Sequence, residues 1–332
     1  MAVQCFVTGG SGLVGSHLLP PLLASGARVR ASFRGSPPTG APAGVEWVEG
    51  DVLDSVFLGQ AVAGADIVIH AAALVSFAPR EADRLWRINV EGTANLVNAL
   101  LAHAPAARLL HLSSVAALGP PASGTTTVDE TAQWDTTAEH SVYAESKFAA
   151  ELEVWRGLNE GLTGAIVNPS VILGPGDVGR SSAQLFKYAA EEHRFYPPGH
   201  LNVVDVRDVV AALLALATAP AAALGRRYVL SAGALPYAEF FGLAARALGR
   251  RPPPTALPRA LAEVLWRAEA VRAKLTGAAP LLTRETARIA RRAAVFDGTR
   301  AARTLCLTYR APAESVMWAA QELGRAGLGR PR

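Results

Sequence analysis

The sequence predicts an α/β protein: a doubly wound parallel sheet with helices on both faces, followed by a smaller C-terminal α+β domain that binds the substrate. Three observations carry this expectation. Short apolar runs alternate with helical periodicity through the first 115 residues, a glycine-rich turn joins the first such pair, and the alternation breaks down after Pro169.

The elements follow in order. Val3–Thr8 is an apolar run ending in glycines, and Leu13–Ala24 has helical periodicity and stops at Gly26. Arg28–Phe33 reads as the second strand, Gly35–Gly44 as a loop by its Gly and Pro content, and Val45–Val48 as a third short strand. A helix over Asp54–Ala63 and a strand over Ala65–His70 come next, then one long helix over Arg80–His103 and a strand over Arg108–Ser113. Beyond the loop Gly119–Thr127, Tyr143–Glu160 is expected to be helical and Thr163–Asn168 to be a sixth strand. Short helices (Ser182–Glu192, Pro236–Leu248, Pro258–Leu275) are then interleaved with short strands (Leu201–Val204, Arg227–Leu230), and Arg250–Pro254 reads as a surface connector. Residues 1–170 are expected to form the nucleotide domain, with segments of 201–230 contributing, and residues 171–332 to be mainly substrate domain.

Composition narrows the class. Of the 332 residues, half are apolar and 18% charged, and the net charge is +4. Arginine supplies 29 of the 32 basic residues and no block of five like charges occurs, so the basic pI reads as compositional bias rather than a nucleic-acid surface. Cys5 and Cys306 lie at opposite ends of the chain without metal-ligand neighbours, which predicts a reduced, cytoplasmic protein with no metal. The N-terminus lacks a signal-peptide pattern, and the apolar stretch Val209–Leu224 is short and interrupted by Pro220, so it reads as a buried helix rather than a membrane span. The expected partner is a small molecule, with no nucleic acid and no membrane, and the chain is expected to be a monomer or homodimer.

Thr8-Gly9-Gly10-Ser11-Gly12-Leu13-Val14-Gly15 stands between the first strand and the first helix, where the Rossmann fold carries its dinucleotide loop. Glycine permits the tight turn, close backbone approach to a pyrophosphate and tight helix–strand packing, and the helix N-terminus favours the anion. Gly9, Gly12, Leu13, Val14 and Gly15 are therefore expected to hold the cofactor. At the end of the second strand, where an NAD site usually carries Asp or Glu, this chain has Phe33 and Arg34. With no carboxylate there to repel a phosphate, Arg34 is expected to read a 2′-phosphate, which favours NADP(H) over NAD(H); Arg34 is equally readable as one solvated arginine among 29. Asp51 and Val52 follow the third strand, where they can meet the adenine edge or simply lead into the helix at Asp54. Ala71, Ala72 and Ala73 follow His70 with side chains small enough for a cofactor to pass close by.

Tyr143 and Lys147 are the most informative pair. With six tyrosines and three lysines in the chain, chance placement gives about 0.05 such Tyr-x-x-x-Lys pairs. Four apart on a helix they share a face, and an ammonium there favours ionisation of the phenol, as a proton-transferring tyrosine requires. Taken alone, the pair also fits an exposed helix face. Leu112-Ser113-Ser114-Val115 ends the fifth strand at the carboxyl edge, where ligands bind in open parallel sheets.

The glycine loop, His70-Ala71-Ala72, Asn89-Val90-Glu91-Gly92-Thr93, Ser113-Ser114, Tyr143-x-x-x-Lys147 and Asn168-Pro169-Ser170, in this order, resemble the extended short-chain dehydrogenase/reductase family over nearly the whole chain. The resemblance implies that Tyr143 is the general acid/base, that Lys147 lowers its pKa and holds the nicotinamide ribose, and that Ser114 orients the reacting oxygen. It further implies that Ser113, Pro169 and Val171 support the cofactor and that Asn89 lies beside the site.

Two subgroups compete. Val29-Arg30-Ala31-Ser32-Phe33-Arg34 is similar to dihydroflavonol-reductase-like NADP-dependent carbonyl reductases, whereas Leu201–Asp208 and Leu257-Pro258-Arg259-Ala260-Leu261 are similar to proteins called hopanoid-associated sugar epimerases. Nucleotide-sugar epimerases usually carry an arginine for the substrate pyrophosphate and a histidine where this chain, aligned on Asp208, has Leu201 and Asp205. Arginines at 284, 288, 291 and 292 can substitute or can be ordinary solvated positions. The balance favours a less charged carbonyl substrate, lined by Val75-Ser76-Phe77, Leu118-Gly119-Pro120 and Phe195-Tyr196-Pro197, residues equally readable as ordinary core. Ser76, Phe77, Leu118 and Asn168 are the expected substrate contacts.

Overall fold

The computed structural model describes residues 2–35, 40, 42–179, 182–258, 261 and 294–329. Part of the Gly35–Gly44 loop, most of the helix expected over Pro258–Leu275 and Arg284, Arg288, Arg291 and Arg292 lie outside the described residues.

Seven strands form one sheet: β1 (Gln4–Thr8), β2 (Arg28–Phe33), β3 (Val45–Glu49), β4 (Ile67–His70), β5 (Arg108–Leu112), then, after the short β6 (Thr127–Val128), β7 (Thr163–Pro169), and later β11 (Arg226–Leu230). Between the last two lie β8 (Val171–Leu173), β9 (Phe195–Tyr196) and β10 (His200–Asp205); β12 (Gly233–Pro236), β13 (Thr255–Ala256) and β14 (Val295–Phe296) follow. The order β11-β7-β5-β4-β1-β2-β3 is parallel throughout. Chain direction across the sheet reverses between β1 and β4, and the crevice at such a switch point is where ligands bind.

The helices are α1 (Leu13–Ala24), α2 (Ser55–Val62), α3 (Ala82–Trp86), α4 (Gly92–His103), α5 (Val142–Asn159), α6 (Ala183–Ala190), α7 (Val206–Thr218), α8 (Tyr237–Ala247), α9 (Thr299–Thr304) and α10 (Pro312–Arg325). Strand periodicity decides which face each side chain joins. Cys5, Val7, Ile67, Ile69, Leu110, Ala165 and Val167 enter one core with α1 and α7, whereas Phe6, Val68, Leu109 and Ile166 enter the opposite core with α2 and α4. Burial in the first core pushes the Cys5 thiol up to about 11, so it is inert.

Local chemistry explains the helix starts. Asp54 accepts from the Val56 and Phe57 amides at 3.0 Å, Ser141 from the Ala144 amide at 2.9 Å and Asp205 from the Arg207 amide at 2.8 Å. α1 differs: Gly12 occupies its N-cap and no side chain caps it.

The long helix expected over Arg80–His103 is broken. A 3-10 turn at Pro79–Glu81 and α3 precede a π-helical turn, Arg87–Glu91, whose widened hydrogen bond runs from the Gly92 amide to the Arg87 carbonyl. The turn carries Asn89, whose side chain is bound on both sides to other segments, so tertiary bonds override helical periodicity here.

A second, smaller sheet, β12-β10-β8, packs with α6, α8 and α10 around Leu173, Phe186, Leu201, Phe240, Phe241, Val316 and Leu323. The sequence reading omits the short strands β6, β8, β9, β12, β13 and β14 and the helices α9 and α10. α10 nevertheless begins with Pro312 and buries Val316, Ala319, Ala320 and Leu323, a helical repeat. No helix among the described residues is long and apolar enough to cross a membrane.

Leu213 of α7 is fully buried in the core shared with α1. Leu213→Ala is expected to lower unfolding free energy by about 2–5 kcal/mol in urea titration, with an unchanged denaturant slope.

Candidate active site

The carboxyl ends of β1, β4, β5 and β7 converge on one crevice. Gly9 has φ +72°, and a Cβ there would lie 2.6 Å from the Ala72 amide nitrogen, so the loop after β4 rests directly on the glycine turn. A Cβ on Gly15 would collide with the carbonyls of Gly9 and Gly10. Gly10 serves packing instead: a Cβ there would meet Ala31 at 2.9 Å and the Trp47 ring at 3.1 Å. The Gly12 amide is bound to the Gly9 carbonyl at 3.0 Å, while the first turn of α1 carries neither a side-chain cap nor an acidic residue. This uncapped helix start behind a glycine turn fits a pyrophosphate, since its amides and the helix dipole favour an anion.

At the crevice's other end, Arg34 is exposed and its guanidinium lies 3.2 Å from an Asp51 carboxylate oxygen. The expectation that no carboxylate stands beside Arg34 is therefore corrected: Asp51 reaches it from the turn after β3. Asp51 also accepts from the Leu53 amide at 3.0 Å, and Val52 is held by Asn95, which donates to its carbonyl at 3.2 Å. A Cβ on Gly92 would lie 2.6 Å from Val52, so α4 packs tightly on this turn.

A buried hydrogen-bond chain links the glycine strand to α5. Thr93 Oγ1 donates to the Asn89 carbonyl at 2.6 Å, so it must accept from His70 Nε2–H at 3.0 Å. His70 Nδ1 then accepts from Thr8 Oγ1 at 2.7 Å, and Thr8 Oγ1 accepts from the Ala72 amide at 3.2 Å. The donors and acceptors close only if His70 is neutral; burial, seconded by the charge of Lys147, lowers its pKa to about 3. Asn89 continues the chain. Its amide donates to Ser146 Oγ at 2.9 Å and to the Leu74 carbonyl at 3.0 Å, and its oxygen accepts from the Leu74 amide at 2.8 Å. Asn89 therefore ties the loop carrying Ala73, Ser76 and Phe77 to the first turn of α5.

Tyr143 is half-buried on that turn, with Phe77 edge-on at 5.6 Å. Ser114 Oγ accepts from the Ala116 amide at 3.1 Å, and its side chain lies beside the Tyr143 hydroxyl. Lys147 is buried and donates to the Leu112 carbonyl at 2.9 Å. The expected lowering of the Tyr143 pKa is not what this geometry gives. Desolvation raises it, the Ser114 hydrogen bond pulls it back only in part, and the ammonium is turned toward β5. Lys147 itself falls to about 8, because burial outweighs the opposing charge of Glu151.

Two expected substrate contacts are corrected. Leu118 is buried in a small cluster with Val128 and Val229, facing the core. Asn168 is fully buried and donates to the Ser114 carbonyl at 2.9 Å and to Glu151, so it braces Ser114. Ser76 accepts from the Ala78 amide at 3.2 Å and shapes its own loop. Ser113 and Pro169 are buried and Val171 is half-buried. Phe195 and Tyr196 pair with β13, and Tyr196 packs on the small-sheet core. Sequence reasoning missed Glu151 and the linking role of His70; the helical spacing of Glu151 from Lys147 was the available signal.

Gly15→Ala is expected to weaken dinucleotide binding at least about tenfold by titration, since the added methyl must push the pyrophosphate turn aside.

The NAD dependent epimerase/dehydratase family model matches residues 5–231. A Synechocystis sp. protein provisionally named dihydroflavonol 4-reductase is 31% identical over 96% of this chain and 95% of its own length. Cinnamoyl-CoA reductase 1 of Petunia hybrida is 30% identical, over 65% of this chain and 69% of its own. The crystal structure of gox2253 superposes with a TM-score of 0.81 at 27% identity, covering 99% of this chain and 100% of that one. With its parallel Rossmann sheet and these relatives, the chain belongs to the NAD dependent epimerase/dehydratase family of extended short-chain dehydrogenases/reductases.

Proposed function

We propose that the protein is an NADP-dependent oxidoreductase that interconverts a carbonyl and an alcohol, with Ser114, Tyr143 and Lys147 as its catalytic set. The observation that carries this reading is the meeting of Ser114 and Tyr143, one helical turn from a buried lysine that donates to the Leu112 carbonyl, on the sheet edge that holds the glycine turn. The bound nicotinamide supplies or takes the hydride at the reacting carbon. Ser114 holds the substrate oxygen, and Tyr143 gives that oxygen its proton in reduction or removes it in oxidation. Burial favours the neutral phenol, so Tyr143 carries its proton at neutral pH, the form that reduction consumes. Lys147 contributes positive charge and is assigned to hold the nicotinamide ribose. In this reading residues 171–332 mainly bind substrate.

NADP is favoured by the exposed guanidinium of Arg34 after β2. Its ion pair with Asp51 is solvent-exposed and worth at most about 1 kcal/mol, so it yields readily to a dianionic 2′-phosphate. A nucleotide-sugar epimerase with tightly held cofactor is the second reading, favoured by the family description. Against it stands Leu201, which takes the position expected of a pyrophosphate-binding arginine and is buried in the small-sheet core. Gel filtration separates the readings: cofactor retained on the protein supports the epimerase, and free exchange with turnover of simple ketones or aldehydes and NADPH supports the reductase.

Tyr143→Phe is expected to cut turnover by roughly 10²–10⁴-fold while NADPH affinity, read by fluorescence titration, stays within about twofold; retained turnover removes Tyr143 from the chemistry. Arg34→Ala is expected to weaken NADPH by about 10–100-fold and NADH by less than about threefold, from the loss of one charge-assisted phosphate contact. Equal effects on the two cofactors overturn the NADP assignment.

A further inference from the structure

α5 buries a second charge beside the catalytic set. Tyr143, Lys147 and Glu151 recur every four residues and so share one helix face. Glu151 is 1% exposed and Lys147 2%. Asn168 Nδ2 donates to Glu151 Oε1 at 2.5 Å and also to the Ser114 carbonyl, and Arg227 Nη1 lies 3.5 Å from Glu151 Oε2. Arg227 in turn donates to the Glu130 and Ala132 carbonyls, so it is itself fixed in place.

Burying two ions costs several kcal/mol each, and well-packed apolar residues of similar volume fill such space at least as stably. The retained Lys147–Glu151 arrangement therefore points to a role beyond filling the core. The groups acting on Lys147 can be named by element. His70 on β4 and His111 on β5 feel its charge, and burial keeps both neutral. Tyr143 lies on the same helix and is neutral too. Glu151 supplies the charge that opposes burial at Lys147. Burial raises the Glu151 carboxyl, and Ser113, Asn168, Arg227 and Lys147 offset that rise only in part.

We propose that Glu151 is a positioning residue of the catalytic set: its carboxylate is the counter-charge that holds Lys147 as an ammonium, and through Asn168 it anchors the backbone of Ser114. The proposal rests on the reading of Ser114, Tyr143 and Lys147 given above, but its test does not depend on turnover. The chain has three lysines, Lys147, Lys187 and Lys274, so protein isotopically labelled at lysine gives three side-chain signals, and Lys147→Arg identifies the signal of interest by its loss.

Glu151→Gln keeps the shape and an oxygen for Asn168 while removing the charge. The titration midpoint of Lys147, about 8 in the native protein, is expected to fall by about one pH unit, with Lys187 unmoved. With any ketone that is turned over, the alkaline limb of kcat/KM should move down with it, because a group whose pKa falls loses its proton at lower pH. A Lys147 midpoint unchanged to within about 0.2 unit overturns the counter-charge role, even if the variant is less stable, since a merely structural carboxylate would affect melting alone. Should Glu151→Gln not fold, Glu151→Asp withdraws the charge by one methylene. It is expected to lower the midpoint by a smaller amount, and an unchanged or raised midpoint again overturns the proposal. If no carbonyl compound is turned over, the reductase reading fails while the Lys147 titration still decides this one.

Discussion

A lysine ammonium held inside the protein constrains everything around it. Lys147 is cut off from water, and burial lowers its pKa to about 8 against the opposing charge of Glu151. The fold answers with the Leu112 carbonyl at the end of β5, a direct acceptor, and with Glu151 one turn along α5. Both require α5 to lie against the carboxyl ends of β5 and β7. Ser141 starts that helix, and the Asn89–Ser146 bond fixes its first turn. Burial, seconded by the same charge, keeps His70 and His111 neutral. Neutrality of His70 in turn fixes its tautomer and the direction of the chain from Thr8 to Asn89. One buried charge thus organises hydrogen bonds across three strands and two helical segments.

Close backbone approach is the second constraint, and it meets the first at the switch point. The turn after β1 and the alanine loop after β4 touch at Gly9, where no side chain fits. That loop continues to Leu74, which Asn89 grips through both amide and carbonyl, and on to Phe77 against Tyr143. The proposed cofactor cradle and proton-transfer group are therefore joined through one short segment. A change in the turn after β1 reaches Tyr143 through packed backbone rather than through a long path.

Much of this was legible in the sequence because it follows local rules. Strand runs such as Arg28–Phe33 and the helix Leu13–Ala24 match the structure to the residue, since apolar period and flanking glycines act within a few positions. The glycine turn, Ser114, Tyr143 and Lys147 were readable because their spacing is local or stands at a strand end. What failed depended on distant partners. The break at Arg87–Glu91 arises from bonds between Asn89 and residues 74 and 146, which no helical periodicity reports. Leu118 and Asn168 looked like lining residues because they adjoin the catalytic segment, yet Val128, Val229 and Glu151 claim their side chains. The Tyr143 pKa was misjudged for the same reason: spacing puts Lys147 on its face, but the Leu112 carbonyl turns the ammonium elsewhere.

The same effects bear on the proposed chemistry through the protonation state of Tyr143. A tyrosine raised by desolvation keeps its proton at neutral pH, so in the proposed reading the free site presents the protonated phenol to an oxygen that gains charge. Carbonyl reduction generates such an oxygen, whereas alcohol oxidation needs the phenolate. Lys147 does not ease that ionisation from where it stands, because its ammonium is bound to the Leu112 carbonyl at 2.9 Å. In the proposed reading Glu151 acts on the charge of Lys147 and, by way of Asn168, on the backbone of Ser114, rather than on the ionisation of Tyr143 itself.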